Sequence, residues 1–508
     1  MTQSDGFVLT GGTIVDGTGA PARTGDVVVR GGRILSVDSP GREWMQGYRK
    51  VECFGCVIAP GFIDAHSHSD LKVLDNRTEK LLQGVTTEVV GNCGFSPYPT
   101  PDDPKVLRDF ANGILNGDQN WGWSSALDYL ASARKSKTAT VASLVGHGSL
   151  RIKVAGNTSR GLAQSEVDAM CGLLAEAMEE GAAGLSSGLM YAPGSGASTE
   201  ELIALCRVLA SKGGVYATHM RSYSAGLVEA VEEQIAIAEH SGCRLQISHL
   251  QAAGEEYWPL QQRAITLIEE ASATGIDLAF DAYPWLAGST VLTQVLPQAA
   301  LDGGIPKLLS RLRDPFEREA IRPKIKPEAH WNGVVITAAA YDEASLVGRC
   351  IQEIADERGS DPATTVMDLL LEQDADVTIV EHSQSLENLH ALMTHPLATI
   401  ITDGVYTKGR SHPRLYGTFP LLFGDLVRER KWLTLEEAVH KVTEKPATAF
   451  HLHGRGRIEA GYLADITVFD PGMIHTDATY EKPDVVPSGI RAVLREGNMV
   501  VDSGVARV

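Results

Sequence analysis

The sequence predicts a closed (β/α)8 barrel of the TIM type, accompanied by a small β-domain formed by both chain ends and by an inserted lid subdomain. Three observations carry this prediction. The middle of the chain alternates short apolar strand candidates with helix candidates of amphipathic spacing, the pattern of parallel strands joined by helical crossovers. His66, His68, Cys93, His219, His249 and Asp403 all stand at the C-terminal ends of strand candidates, and they come from at least five different strands. Both chain ends, by contrast, are β-rich and punctuated by glycine. Alternation alone fits an open doubly wound sheet equally well. The polar residues decide, because a closed barrel gathers strand ends at one mouth whereas an open sheet spreads them along an edge.

A length of 508 residues exceeds one ordinary domain, although an α/β barrel can hold a single core of about 200–250 residues or more. The net charge of −19 argues against nucleic acid or anionic membrane as a partner. It leaves room for an anionic small molecule, since a buried site can be locally positive. No basic segment followed by an apolar core opens the chain, and no run of about 18 apolar residues occurs. Seven cysteines are scattered without disulfide-framework spacing, which predicts a reducing, cytoplasmic compartment. Cys53 and Cys56 make one Cys-x-x-Cys, with no second pair to complete a zinc site, and are read as structural.

In chain order, residues 1–58 form the first part of the β-domain. Its strand candidates are Phe7-Val-Leu9, Thr13-Ile-Val15, Asp26-Val-Val-Val29 and Arg33-Ile-Leu35, separated by glycines. Residues 59–285 and 346–463 form the barrel. Its strand candidates are Phe62-Ile63, Thr86 to Val90, Thr140 to Val145, Leu185 to Met190, Val215 to Thr218, Arg244 to Ser248, Asp277 to Ala282, Asp376 to Val380 and Leu397 to Ile401. Val167, Met170, Cys171, Leu174 and Met178 have helical spacing, as do Leu227, Val231, Ile235 and Ala238. Ser198 and Glu201 make a capping-box pattern ahead of a helix that stops near Gly213-Gly214. Residues 286–345 break the rhythm with several prolines and charged helical pieces. They read as an insertion at a β-to-α loop, serving as a lid or as a passive surface excursion. Residues 464–508 return to the β-domain.

Pro60-Gly-Phe-Ile-Asp-Ala-His-Ser-His68 is the centre of the chain. His66 and His68 stand two apart, so on extended backbone both side chains share a face and can share one metal ion. An isolated His-x-His is more often a pair of solvated loop residues; the further candidate ligands at later strand ends weigh against that here. Cys93 in Asn92-Cys-Gly94 is a thiolate ligand, a nucleophile or inert. The whole set of imidazole, thiolate and carboxylate favours ligation and suits zinc. Asp403 precedes Gly404 and fits a turn, but its place after a buried strand at the same mouth favours a catalytic role.

These segments resemble the amidohydrolase superfamily and, within it, the N-acyl-D-amino-acid deacylases (D-aminoacylases). The likeness runs over nearly the full length through Gly61-Phe-Ile-Asp-Ala-His-Ser-His68, Gly91-Asn-Cys-Gly94, Val145-Gly-His-Gly148, Thr218-His-Met-Arg221, Ile247-Ser-His249, Asp281-Ala-Tyr-Pro284, Thr402-Asp-Gly404 and His412-Pro-Arg-Leu-Tyr-Gly-Thr-Phe419. The resemblance implies a zinc-dependent hydrolase that cleaves the amide bond of N-acyl-D-amino acids, or of related D-residue dipeptides, by metal-activated water. It implies one tight zinc on Cys93, His219 and His249, with His66 and His68 at an adjacent, weaker site. Asp403 is then the group that takes a proton from water and returns it to the leaving amine. Arg414 matches the family's carboxylate-binding arginine, and Tyr283, Ser289 and Tyr191 match further substrate contacts. Gln251 stands where the family carries a lysine. The partner is therefore a small molecule with a free carboxylate. The alternatives are a cyclic-amide hydrolase or a deaminase on the same barrel, or a non-catalytic scaffold. A deaminase has no evident use for Cys93, and a scaffold should have lost ligands. Leu185 to Met190 has no lysine of the kind that bridges two metals in hydantoinases and dihydroorotases.

Overall fold

The structure, a computed structural model, describes residues 6–40, 47–117, 121–326, 330–341 and 343–508. Eight parallel strands follow one another in chain order around a single sheet: β1 (Phe62–Asp64), β2 (Val85–Val90), β3 (Thr140–Gly146), β4 (Gly184–Gly188), β5 (Val215–His219), β6 (Arg244–Ile247), β7 (Leu278–Ala282) and β8 (Ala398–Ile400). Strands such as β2 and β4 are buried along their whole length. They therefore read as continuous runs rather than as alternating ones. Just beyond β1 and β8, a parallel bridge joins Ser67 to Gly404. The Asp403 N–H donates to the His66 carbonyl at 2.9 Å and the His68 N–H to the Gly404 carbonyl at 3.1 Å, so the last strand returns to the first.

A buried polar triad locks the same seam. Lys80 Nζ donates to Asp64 Oδ2 and to Thr402 Oγ1, each at 2.5 Å, and the Thr402 N–H donates to Asp64 Oδ1 at 2.9 Å. Beneath it, Phe62 packs against Phe419, Phe423 and Phe469 with ring centroids 5.6, 5.1 and 6.0 Å away. That cluster ties β1 to a C-terminal helix and to the β-rich sheet.

The β-rich sheet takes strands from both chain ends. Five come from the N-terminal side, Gly6–Ile14, Arg23–Arg30, Arg33–Asp38, Tyr48–Glu52 and Val57–Pro60; Ile466–Phe469, Ile490–Arg495, Asn498–Asp502 and Val505–Ala506 come from the C-terminal side. Ile466–Phe469 runs antiparallel to Val57–Pro60, with Ile466 opposite Pro60. The two strands expected at residues 7–9 and 13–15 are one strand, whose register shifts between Leu9 and Gly12. Gly11, with φ of 69°, allows the bulge where the glycine pair suggested a break.

The insertion has its own core and its own sheet. Ala287–Val291 and Val334–Ala339 flank Val377–His382 in an antiparallel arrangement, packed against Leu308, Ile351, Val366 and Leu370. The strand expected at 376–380 therefore exists but does not belong to the barrel, and the excursion extends past residue 345 to His382. An apolar run of this length looks the same in either sheet. The helix Thr199–Lys212 starts with only half of the expected capping box. Ser198 Oγ accepts the Glu201 N–H at 3.2 Å, but the Glu201 carboxylate is taken by Arg151 Nη1 at 2.7 and 2.8 Å and faces His147 Nε2 at 2.8 Å. A fully buried guanidinium needs that partner more than a helix end does. Among the described residues no helix is long and apolar enough to cross a membrane.

The seam triad predicts a stability effect. Asp64→Asn removes the carboxylate from a lysine whose side chain is 2% exposed. Leaving such a charge without its partner costs about 3–5 kcal/mol. Urea unfolding followed by circular dichroism should show a clearly lower midpoint; an unchanged midpoint would show that the triad does not bear on barrel closure.

Candidate active site

All six strand-end residues meet at the barrel mouth. His66 and His68 follow β1 across a bend at Ala65 and His66, and their Nε2 atoms lie 3.4 and 3.2 Å from Asp403 Oδ1. β2 delivers Cys93 through the Gly91-Asn92-Cys93-Gly94 turn. A Cβ on Gly91 would stand 2.1 Å from the Leu144 carbonyl oxygen, and one on Gly188 would stand 2.0 Å from that of Cys93. Only glycine lets the turn lie this close to β3 and β4. Cys93 Sγ is 3.4 Å from both His66 Nε2 and His249 Nε2, and His219 Nδ1 is 3.1 Å from His249 Nε2. Cys93, His249 and Asp403 have φ of 55°, 35° and 48°, a region that residues with a Cβ rarely adopt. Backbone strain of this kind is concentrated at functional sites.

The donor set fits a metal. Zn–N and Zn–S bonds of about 2.0–2.3 Å place neighbouring ligands of a tetrahedral site roughly 3.3–3.6 Å apart, close to the separations found here. Among the described residues, two three-residue groups have converging ligand atoms: His66 with Cys93 and His249, and His66 with His68 and Asp403. The sequence grouped the first as Cys93, His219 and His249. In the structure His66 belongs to both groups, and His219 adjoins His249 and Cys93. The electrostatics also call for a cation. Burial lowers the pKa of His66, yet Cys93, Asp281 and Asp403 raise it well above the ordinary value. Burial likewise opposes His68, which Asp403 and Cys93 bring up to about 9. Burial pushes the Cys93 thiol up, but His66, His249 and His219 hold it well below the usual range.

Asp281 was not among the sequence-predicted site residues. It sits near the end of β7, where Oδ1 accepts the His249 N–H at 2.5 Å and lies 3.6 Å from His66 Nδ1, while Oδ2 accepts from Gln246 Nε2 at 3.1 Å. Such outer carboxylates orient ligating histidines. A carboxylate ending a strand beside Tyr283 was the available signal.

The substrate-contact candidates line one cavity of about 320 Å³ over these donors: Tyr191, Gln251, Tyr283, Ser289 and Arg414. Arg414 Nη1 is 2.9 Å from Asp403 Oδ2, and its guanidinium stacks on the Tyr283 ring at 4.6 Å. Tyr283 donates its hydroxyl to Gln251 Oε1 at 3.1 Å. Ser289 offers its backbone carbonyl to Arg414 Nη2 at 3.5 Å. Tyr191 packs 4.9 Å from the His219 ring. Burial raises the Asp403 pKa, but Arg414 and the histidines outweigh it and hold the carboxyl well below the ordinary range. The insertion supplies part of the wall, including Lys324 and the Lys326–Glu381 ion pair at 2.5 Å. No local pattern in the sequence ties these residues to the barrel mouth.

The amidohydrolase family model matches residues 51–289 and 309–501. The D-aminoacylase of Alcaligenes xylosoxydans xylosoxydans is 35% identical over 505 residues, spanning 98% of this chain and 95% of the relative. The chain belongs to the amidohydrolase family, in its N-acyl-D-amino-acid deacylase branch. A crystal structure of the N-acyl-D-glutamate deacylase from Bordetella bronchiseptica, complexed with zinc and a phosphonate mimic of the tetrahedral intermediate, is 31% identical. Its TM-score is 0.84, over 98% of this chain and 97% of that one. A D-aminoacylase structure, described by one-metal activation and second-metal attenuation in a binuclear centre, is 34% identical with a TM-score of 0.83, over 98% of this chain and 97% of that one. This deacylase is accordingly a metal-dependent hydrolase.

The convergence on Cys93 predicts that Cys93→Ala purifies with much less zinc than wild type, measured by atomic emission against protein concentration. Full occupancy in that variant would remove Cys93 from the ligand set.

Proposed function

We propose that the chain hydrolyses the amide bond of N-acyl-D-amino acids, or of dipeptides ending in a D-residue, releasing a carboxylic acid and a free amino group. Arg414 carries this reading. Its guanidinium is fully buried, and its Nε and Nη1 atoms make no hydrogen bond, because the close approach to Asp403 is an ion pair out of hydrogen-bond alignment. Buried donors left unpaired are costly, and a ligand carboxylate is the partner that a guanidinium grips in two places. The relatives' names support the D configuration.

Cys93, His219 and His249 offer the tighter metal position, and His66 and His68 the weaker one, with Asp403 in reach of the latter. When bound, the metal polarises the amide carbonyl and lowers the pKa of water to about 7. Asp403, kept ionised by Arg414, takes the proton of the attacking water and hands it to the departing nitrogen. Arg414 binds the free carboxylate against the Tyr283 ring. Gln251 fixes the Tyr283 hydroxyl, and Tyr191 and Ser289 bound the space around the scissile bond. The insertion supplies part of the site's wall through Lys324, Lys326 and Glu381.

Paired D and L N-acyl amino acids, scored by free amine release, test the reading: hydrolysis of the D series is expected, and exclusive hydrolysis of the L series would overturn it. Amidating the substrate carboxylate should lower wild-type kcat/KM by about tenfold to a hundredfold, the worth of a charge-assisted pair. In Arg414→Met the acid and the amide should be cleaved at similarly low rates. Equal wild-type rates on acid and amide would remove Arg414 from the carboxylate role.

A further inference from the structure

We propose that His412 is a positioning residue for Arg414. Its imidazole ties the backbone at Arg414 to the first strand of the insertion, and so fixes where the guanidinium can meet a substrate carboxylate. The proposal rests on the carboxylate reading of Arg414 above. It concerns a side chain that acts through another: the ring is 1% exposed and is not part of the cavity wall.

The two ring nitrogens have different partners. Nε2 lies 3.0 Å from the Ala287 carbonyl oxygen, which only accepts, so Nε2 carries the proton and donates. The Arg414 backbone N–H donates to Nδ1 at 3.0 Å, so Nδ1 carries none. Only a neutral imidazole in this one tautomer makes both bonds. Burial, helped by the Arg414 charge, lowers the His412 pKa well below the ordinary value and keeps the ring in that form. Arg414 opens the helix Arg414–Leu421, whose N-cap residue Pro413 offers no side-chain hydrogen bond. The first N–H groups of a helix have no partner within it, and His412 supplies one from two residues upstream. The carbonyl of the same residue is also held. Thr418 Oγ1 donates to it at 2.8 Å, and Trp285 Nε1 donates to that hydroxyl at 3.0 Å.

Ala287 opens the strand Ala287–Val291. Two residues on, the Ser289 carbonyl faces Arg414 Nη2, and the Thr290 hydroxyl lies 3.2 Å from that of Tyr191. The bond from His412 to Ala287 therefore sets the root of Arg414 against the strand on which its tip rests. Two aromatic rings hold the imidazole edge-on: Tyr480 at 5.1 Å and 88°, and Trp285 at 5.9 Å and 90°. Tyr480 also meets His382 at 4.7 Å, the residue opposite Ala287 in the insertion's sheet. Filling the core alone would need no nitrogen on this ring.

The test compares kcat/KM on one N-acyl-D-amino acid and on its carboxamide, with zinc content measured for each variant. His412→Phe keeps a ring and loses both bonds. His412→Asn restores an acceptor near the Nδ1 position. The phenylalanine variant should lose about tenfold on the acid and much less on the amide, because a misplaced binding group forfeits its share of the rate. The asparagine variant should recover part of the acid's advantage at equal zinc content. Tyr480→Leu, on a different segment, should lower that advantage in the same direction, and it guards against a ring substitution that fails to fold. Full wild-type preference for the acid in the folded variants overturns the proposal. A proportional loss on acid and amide also overturns it, since the ring would then be a structural support only. Equal wild-type rates on acid and amide overturn the carboxylate reading of Arg414 itself, a failure visible before any His412 variant is compared.

Discussion

Closing an eight-stranded parallel ring requires its first and last strands to meet, and the rest of this molecule depends on how that is done. The backbone bonds from Asp403 to His66 and from His68 to Gly404 are the closure. They are also made by the residues that present two imidazoles and a carboxylate to the mouth. Barrel integrity and site geometry therefore share the same peptide groups. The Lys80–Asp64–Thr402 triad reinforces them from behind, where no water reaches, and the Phe62 cluster fills the volume below. A shift of the seam would move half of the donor set, so the positive φ at Asp403 is held by pairing on both sides.

The second constraint is charge. The chain is strongly acidic overall, yet its mouth buries a thiol that ionises easily and several carboxylates. Arg414 offsets one of them directly. His66 and His68 are driven towards their protonated forms by the remainder, which is the electrostatic signature of a site that accepts a cation. The same arrangement keeps Arg414 short of hydrogen-bond partners, so one guanidinium both sustains the Asp403 charge and remains available to an anionic ligand.

Much of this was legible in the sequence, for identifiable reasons. His66, His68, Cys93, His219, His249 and Asp403 could be placed at one mouth because each ends an apolar run, and only a ring gathers such ends. The family resemblance supplied Arg414, Tyr283 and Ser289. What was not legible depends on tertiary choice. Val377–His382 has the texture of any buried strand, and nothing local says which sheet it joins. Glu201 has the spacing of a capping residue, but its carboxylate is claimed by Arg151 and His147 from another segment. Asp281 acts through His249 and His66, a role defined by distances that sequence spacing does not encode.

The pairing of Val57–Pro60 with Ile466–Phe469 also bears on how the chain is made. The Gly61 N–H donates to the Asp465 carbonyl and the Ile63 N–H to that of Val442, so the strand that leads to the paired histidines is anchored by segments that leave the ribosome much later than it does. Contacts this distant in sequence slow folding. The emerging chain must carry β1, with an apolar run and two potential metal ligands, until Val442 and Asp465 have been made. Order at the mouth is thus a late event, because the first strand and its histidines are held in place by Asp403, Val442 and Asp465, all far along the chain.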